Sequence, residues 1–433
     1  MKNNSAIVIG GGLAGCEACY QLAKRGINVV LYEMKPVKFS PAHKSKDLAE
    51  VVCSNSFKST EIGSASGILK AELEKLDSLI LKVAKKTSVP AGGALAVDRD
   101  AFSNMVTKEI EALKNVKIVR EEATSFNLEN TIIATGPLSS DAISSKLTNL
   151  LGEDNLHFYD ASAPIIDGES IDYSKAFAGA RYNKGDSDYL NLPLNKEEYE
   201  TFVRELVGAQ RVELHEFEKS EIFEGCMPIE VMAQRGPDSL RFGPMRPVGL
   251  TDELGKRPYA CVQLRKENIE GSLYNMVGFQ TNLTFGEQKR VFSLIPALKN
   301  AQFIKLGVMH RNSFINAPKY INKDFSVKNH PTLYIAGQLS GVEGYMESTM
   351  SGLIAGISLA NKLNGKPVPE FSDKTMVGAI TSYLTTPNVN FQPMNANLGI
   401  LAPLEELIKD KQERKIAYYN RAMGEYLKIG EID

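Results

Sequence analysis

The chain has 433 residues, with 50 lysines and arginines against 52 aspartates and glutamates and an apolar fraction of 43%, which suits one large α/β domain with an insertion or two domains. No window of 18 consecutive apolar residues occurs and no charged leader precedes the first apolar run, so neither membrane insertion nor secretion is expected. A net charge of -2 gives no general attraction to nucleic acid, and five scattered cysteines suit free thiols in a reducing cytoplasm better than a disulfide framework.

The first predicted strand is Ala6-Ile-Val-Ile9, followed at once by Gly10-Gly11-Gly12-Leu13-Ala14-Gly15 and a helix expected from about Cys16 to Lys24. This is G-x-G-x-x-G in its working context, where glycines permit a tight turn, close backbone approach to a pyrophosphate and close helix packing. A second strand, 27–32, ends at Glu33, the place for an acid that binds ribose. Cys16 and Cys19 form a C-x-x-C without a second pair, so they are expected to pack against the sheet, and no metal is expected. Cys53 follows a short apolar run and precedes Ser54-Asn-Ser56, an expected helix-cap environment that leaves structural and reactive readings open.

Thr131-Ile-Ile-Ala134-Thr135-Gly136 and Thr332-Leu-Tyr-Ile-Ala-Gly337 are paired strands ending in glycine, the second followed by Gly344, Tyr345 and a helix expected from about Ser351. Around a single glycine motif they resemble FAD-binding proteins of the glutathione-reductase type, which implies FAD rather than NAD. The expected fold is α/β, a Rossmann-type FAD-binding domain with an inserted α+β domain. Its divisions are 1–160, an insertion over 161–307, and a returning part over 308–433.

Within the insertion, Phe223-Glu-Gly-Cys-Met-Pro-Ile-Glu230 sets Cys226 between a glycine and a Met-Pro step. Pro228 suits the first position of a helix reaching Gly236, whose positive end would favour a thiolate, and a structural role stays open beside it. From Arg235 to Lys266 seven basic residues face three acidic ones, including Arg241, Arg246, Lys256 and Arg257, interleaved with Phe242 and Tyr259. RNA phosphates and stacked bases would fit such a stretch, and so would a solvated face. Cys261 falls in a strand-like run and is expected in the core. His310 ends another, where a structural role is the commoner one for a lone histidine.

Taken with "GGGLAG", the segments "VVCSNSFKS", "SVPAGGALAVDRDAF", "FEGCMPIEVMAQRGP", "GKRPYACVQLR", "GVMHRN", "AGQLSGVEGYMES" and "FQPMNAN" resemble the folate- and FAD-dependent RNA uridine-5-methyltransferases from Ile7 to about Leu401. The resemblance implies Cys226 as the nucleophile at uracil carbon 6, Cys53 as the second thiol and His310 as the residue stacking folate on flavin. It implies 5,10-methylenetetrahydrofolate as the methylene donor. NAD(P)H would be a transient reductant, since no second nucleotide motif occurs. Cofactor contacts are expected from Gly10 to Gly15, Glu33, Ala134 to Gly136, Gly337, Gly344 and Tyr345, and a cytoplasmic monomer is expected. The RNA is the T-loop uridine of tRNA or, as in a mollicute branch of the family, a uridine of 23S ribosomal RNA. A flavin oxidoreductase on a small metabolite and an RNA-binding flavoprotein are the competing readings.

Overall fold

A computed structural model describes residues 4–152, 156–181, 188–212, 227–251, 255–389 and 391–429. Ser5–Ile9 is a central strand, apolar on both faces, with Ala6, Val8 and Ile9 buried. It pairs in parallel with Asn28–Tyr32 on one side and Thr131–Ile133 on the other. Val116–Val119 and His330–Ile335 extend the parallel sheet outward, and Ser326–Val327 adds an antiparallel edge. The parallel strands stand in the order third, second, first, fourth, fifth along the chain. That is the doubly wound arrangement, and it opens a crevice beyond the carboxyl ends of the central strands.

Two helices begin at this crevice and cross each other closely. Leu13–Lys24 leaves the glycine turn, and Tyr345–Asn364 packs against it through small residues. A Cβ on Gly352 would stand 2.1 Å from the carbonyl oxygen of Ala14, and one on Gly356 would stand 2.8 Å from that of Ala18. Each helical glycine sacrifices about 1 kcal/mol of intrinsic helix stability, and the close crossing requires it. Both helices begin earlier than the sequence pattern suggests, at Leu13 rather than Cys16 and at Tyr345 rather than Ser351. Their N-caps, Gly12 and Gly344, offer no side-chain oxygen, so the usual start signal is missing.

The chain leaves this core along Leu156–Ala161 and returns along Met309–Phe314, and the two passages pair as an antiparallel ribbon. Between them lies a second, wholly antiparallel sheet in the order Phe177–Ala178, Tyr189–Leu194, Ala260–Lys266, Leu273–Met276, Ile165–Asp167, Phe303–Lys305. Helix Lys196–Gly208, started by a capping box of Asn195 and Glu198, buries Tyr199, Phe202 and Leu206 against it. One apolar core draws on residues 6–151 and 314–426, and another draws on residues 163–298. The two meet at a small sheet of Ser56–Ser59, Ala94–Val97 and Ser88–Val89, where Tyr189 donates its hydroxyl to the Ala91 carbonyl at 3.1 Å.

The C-terminal helices close onto the first core through one buried carboxyl. Glu72 accepts the N–H groups of Met376 and Val377, which open helix Met376–Thr385, at 2.7 and 2.9 Å. Tyr426, on helix Lys411–Ile429, donates to the same carboxyl at 3.3 Å. No helix among the described residues is long and apolar enough to cross a membrane.

Candidate active site

The crevice is lined by the glycine turn, Glu33, residues 134–140, Gly337, Gln338 and Tyr345, and opens to solvent. Gly10 takes φ +102°, and a Cβ there would lie 2.4 Å from the Ala134 carbonyl oxygen. A Cβ on Gly15 would lie 1.8 Å from the Gly10 carbonyl oxygen. These two glycines are demanded by the protein's own backbone. Gly12 differs, since a Cβ there meets nothing within 4 Å; only a ligand lying over the helix N-terminus would need the glycine.

Glu33 is buried, and its carboxylate accepts the N–H of Gly11 and that of Lys35, both at 2.9 Å. It closes the turn and faces the crevice together. Beside it stand three lining residues that sequence pattern alone does not single out. Lys35 donates to the Asp47 carbonyl at 2.7 Å and stands 3.4 Å from Glu50. Glu50 also accepts the N–H groups of Lys44 and Ser45. His43 contacts Ser40 Oγ at 2.5 Å, and burial, aided by Lys35, holds its imidazole below the usual histidine range. None of the three carries a spacing signal; all stand on the irregular segment that follows strand Asn28–Tyr32.

Where Val52 and Tyr345 line the crevice, the adjoining loop 51–55 carries Cys53. No helix begins there, so the expected cap environment is absent; the small polar residues instead close local turns, with Ser56 N–H on Ser54 Oγ at 3.1 Å. The loop is gripped by Tyr345. Its hydroxyl accepts the N–H groups of Cys53 and Ser54, each at 3.1 Å, and donates to the Ser54 carbonyl at 2.9 Å. Cys53 Sγ lies 3.2 Å from the same oxygen. Burial, reinforced by Cys53, raises the Tyr345 pKa far above its ordinary value, so the residue stays a neutral phenol. Tyr345 thus lines the crevice and touches the thiol.

The remaining described cysteines are of another kind. Cys16, Cys19 and Cys261 are fully buried, and burial pushes the last two up to about 12, which keeps them out of thiolate chemistry. Cys53 is half-buried. Cys226 lies outside the described residues. The structure begins again at Met227 and the short helix Ile229–Gln234, for which Pro228 is the N-cap rather than the first helical residue. His310 sits opposite Asp160 in the ribbon between the two cores, and its side chain is outside the described set.

The basic stretch is less uniform than its composition suggests. Lys256 and Arg257 are exposed. Arg241 stacks 4.2 Å over the Tyr259 ring and donates to the Tyr259 carbonyl at 3.0 Å, and Arg246 donates to the Phe242 carbonyl. Arg265 is not on the surface at all: it is buried beneath the Cys53 loop.

Comparison with known proteins places this geometry. The profile of a family described as "Glucose inhibited division protein A" matches residues 5–367. A relative from Acetivibrio thermocellus, named methylenetetrahydrofolate–tRNA-(uracil-5-)-methyltransferase TrmFO, is 53% identical over 419 residues, covering 96% of each chain. A relative of the same name from Bacillus subtilis is 52% identical over 425 residues, covering 98% of each. The solved GidA of Aquifex aeolicus superposes with a TM-score of 0.71 at 16% identity, over 98% of this chain and 73% of that one, and so shares the fold.

Proposed function

This chain belongs to the glucose-inhibited division protein A family, and from that premise we propose that it is the FAD- and folate-dependent enzyme that methylates carbon 5 of a uridine in tRNA. The observation that carries the reading is a half-buried thiol, Cys53, held by a residue that lines the nucleotide crevice. The crevice fits FAD: Gly12 leaves room for a pyrophosphate at the helix N-terminus, and Glu33 stands at the ribose position. FAD held there by the glycine turn and Glu33 would, when reduced, supply the means to pass on the one-carbon unit of 5,10-methylenetetrahydrofolate and the hydride that completes the methyl group.

The chain's own residues do the rest. Cys226, the nucleophile in this reading, adds through sulfur to carbon 6 of uracil, and the electron pair of the 5,6 double bond becomes available at carbon 5. Carbon 5 takes up the one-carbon unit. Its proton passes to Cys53, the carbon 6–sulfur bond breaks, and the double bond returns. In sum, uridine and methylenetetrahydrofolate would become 5-methyluridine and tetrahydrofolate, the two electrons coming from NAD(P)H by way of the flavin. His310, between the two cores, stacks the folate, and the insertion of residues 161–307 presents the RNA through Arg241, Arg246, Lys256 and Arg257. The reading places a monomer in the cytoplasm, and sedimentation of the FAD-loaded protein tests the monomer.

The deciding experiment supplies purified protein with the folate donor, NADPH and either a tRNA or a 23S ribosomal RNA transcript, and maps 5-methyluridine by mass spectrometry. Methylation of the T-loop uridine is expected, with loss on Cys53→Ala or Cys226→Ala while FAD stays bound. Methylation confined to ribosomal RNA would move the substrate; methylation of neither would remove the assignment.

A further inference from the structure

The Cys53 loop is held from two sides, and one of them belongs to the other core. Arg265, on strand Ala260–Lys266, sends Nε to Asn55 Oδ1 at 2.8 Å and Nη2 to Ser54 Oγ at 2.9 Å. Asn55 is fully buried and returns its amide to the Lys266 carbonyl at 3.0 Å and to the Val97 carbonyl at 3.0 Å. The grip is therefore reciprocal. Just past the end of the strand, Glu267 ion-pairs with Arg99, whose Nη1 donates to the Val51 carbonyl at 2.5 Å.

Arg265 is 6% exposed, and among the described residues no carboxylate forms an ion pair with it; the nearby Glu267 is taken by Arg99. The guanidinium also meets the Tyr189 hydroxyl and feels the pull of Glu267, yet burial outweighs these, and an apolar side chain of that volume would avoid the desolvation. The planar fork of Arg265, however, fixes two neighbouring residues at once, which a single-point donor cannot do. Those two residues directly follow the thiol.

We propose that Arg265 is a positioning residue for Cys53: through Ser54 and Asn55 the second sheet sets where the thiol stands beside the crevice. The placement of the RNA-facing core is thereby transmitted to the thiol. The inference rests on the reading of Cys53 as catalytic.

The test uses full-length FAD-loaded protein carrying Arg265→Met, Arg265→Lys or Ser54→Ala. Two readouts are followed: kcat and KM for tRNA methylation, and the rate of Cys53 alkylation by iodoacetamide across pH, measured on the Cys53 peptide. Arg265→Met is expected to keep stoichiometric FAD and the KM for tRNA, to lose kcat by about tenfold or more, and to change the alkylation profile of Cys53. Arg265→Lys keeps the charge without the fork and should remain impaired. Ser54→Ala removes the acceptor of Nη2 together with the local turn bond from the Ser56 N–H, a smaller change than the loss of the guanidinium, and should lower kcat a few-fold with FAD unchanged. Wild-type kcat and alkylation in Arg265→Met would overturn the proposal, as would a loss confined to flavin content or melting temperature. Should Arg265→Met not fold, Ser54→Ala decides by the same two readouts. Cys53→Ala that still methylates at the wild-type rate would instead remove the reading beneath, while an altered alkylation profile in Arg265→Met would stand apart from it.

Discussion

The two ends of the site are built by opposite means. At the glycine end, six consecutive residues and one acid 22 positions away from Gly11 make the site, and what matters is the absence of side chains. At the thiol end, five residues are fixed by side chains far along the chain. Arg99 lies 48 positions from the residue it holds, Arg265 lies 210 from Asn55, Lys305 lies 253 from Val52 and Tyr345 lies 292 from Cys53. The first end depends on backbone conformation, the second on assembly of the whole fold. Disturbance at one should therefore read differently from disturbance at the other.

Gly15→Val tests the backbone end most severely, because its Cβ would stand 1.8 Å from a carbonyl oxygen. A loss of about 3 kcal/mol or more is expected, seen as a lower melting temperature and colourless protein. The Cβ of Gly12→Val would meet no protein atom within 4 Å, so its apoprotein should melt far closer to wild type than that of Gly15→Val while failing to bind FAD. Stoichiometric flavin in Gly12→Val would show that the ligand does not approach the turn there. At the thiol end, Tyr345→Phe leaves two loop N–H groups without their acceptor and should cost about 1–3 kcal/mol with flavin still bound. An unchanged melting temperature would mean that the phenol grip is dispensable.

Away from both ends, Glu72 gives a pH signature. Burial, opposed by its two backbone bonds and Tyr426, raises it from 4.5 to about 7. The native state thus holds a proton that the unfolded chain has lost, a stabilisation whole below pH 4.5 and lost as pH rises through about 7. The change is on the order of 3 kcal/mol, and Glu72→Gln should flatten the denaturation midpoint over that window. The smallest effect concerns the surface. Lys256→Ala with Arg257→Ala should reduce the salt slope of RNA binding by about 2, one for each phosphate contact, without moving the melting temperature. Arg241→Ala should lower the melting temperature as well, because its guanidinium stacks on Tyr259.

The difference between the two ends also explains what the sequence could disclose. The strand, glycine turn and acid were legible because each is local and each glycine answers a steric need. The helix that follows was legible too, although its start was placed three residues late, since Gly12 caps it without a side chain. Cys53 could be picked out as an uncommon thiol, yet the helix cap inferred from Ser54, Asn55 and Ser56 was a misreading: those side chains serve a loop, and Asn55 reaches a strand that begins about 200 residues later. Counting basic residues likewise merged two populations, exposed Lys256 and Arg257 with buried Arg265. Alternation along Ala260–Lys266 points Val262 and Leu264 into one core and Gln263 and Arg265 the other way, and no composition count contains that distinction.

The ribbon formed by Leu156–Ala161 and Met309–Phe314 has a consequence for how such a protein can be remade. Because Ala161 and Met309 stand side by side as partners, the second sheet with its helices is a single excursion whose ends meet. Directly opposed residues in an antiparallel pair lie about 4.5–5.5 Å apart, a gap that a short hairpin turn spans. The excursion can therefore be exchanged for that of a relative, or for two residues such as Asn-Gly, without cutting any strand of the nucleotide sheet. A graft of this kind would carry Arg265 away with it, and leave the loop around Cys53 to whatever side chains the new passenger brings.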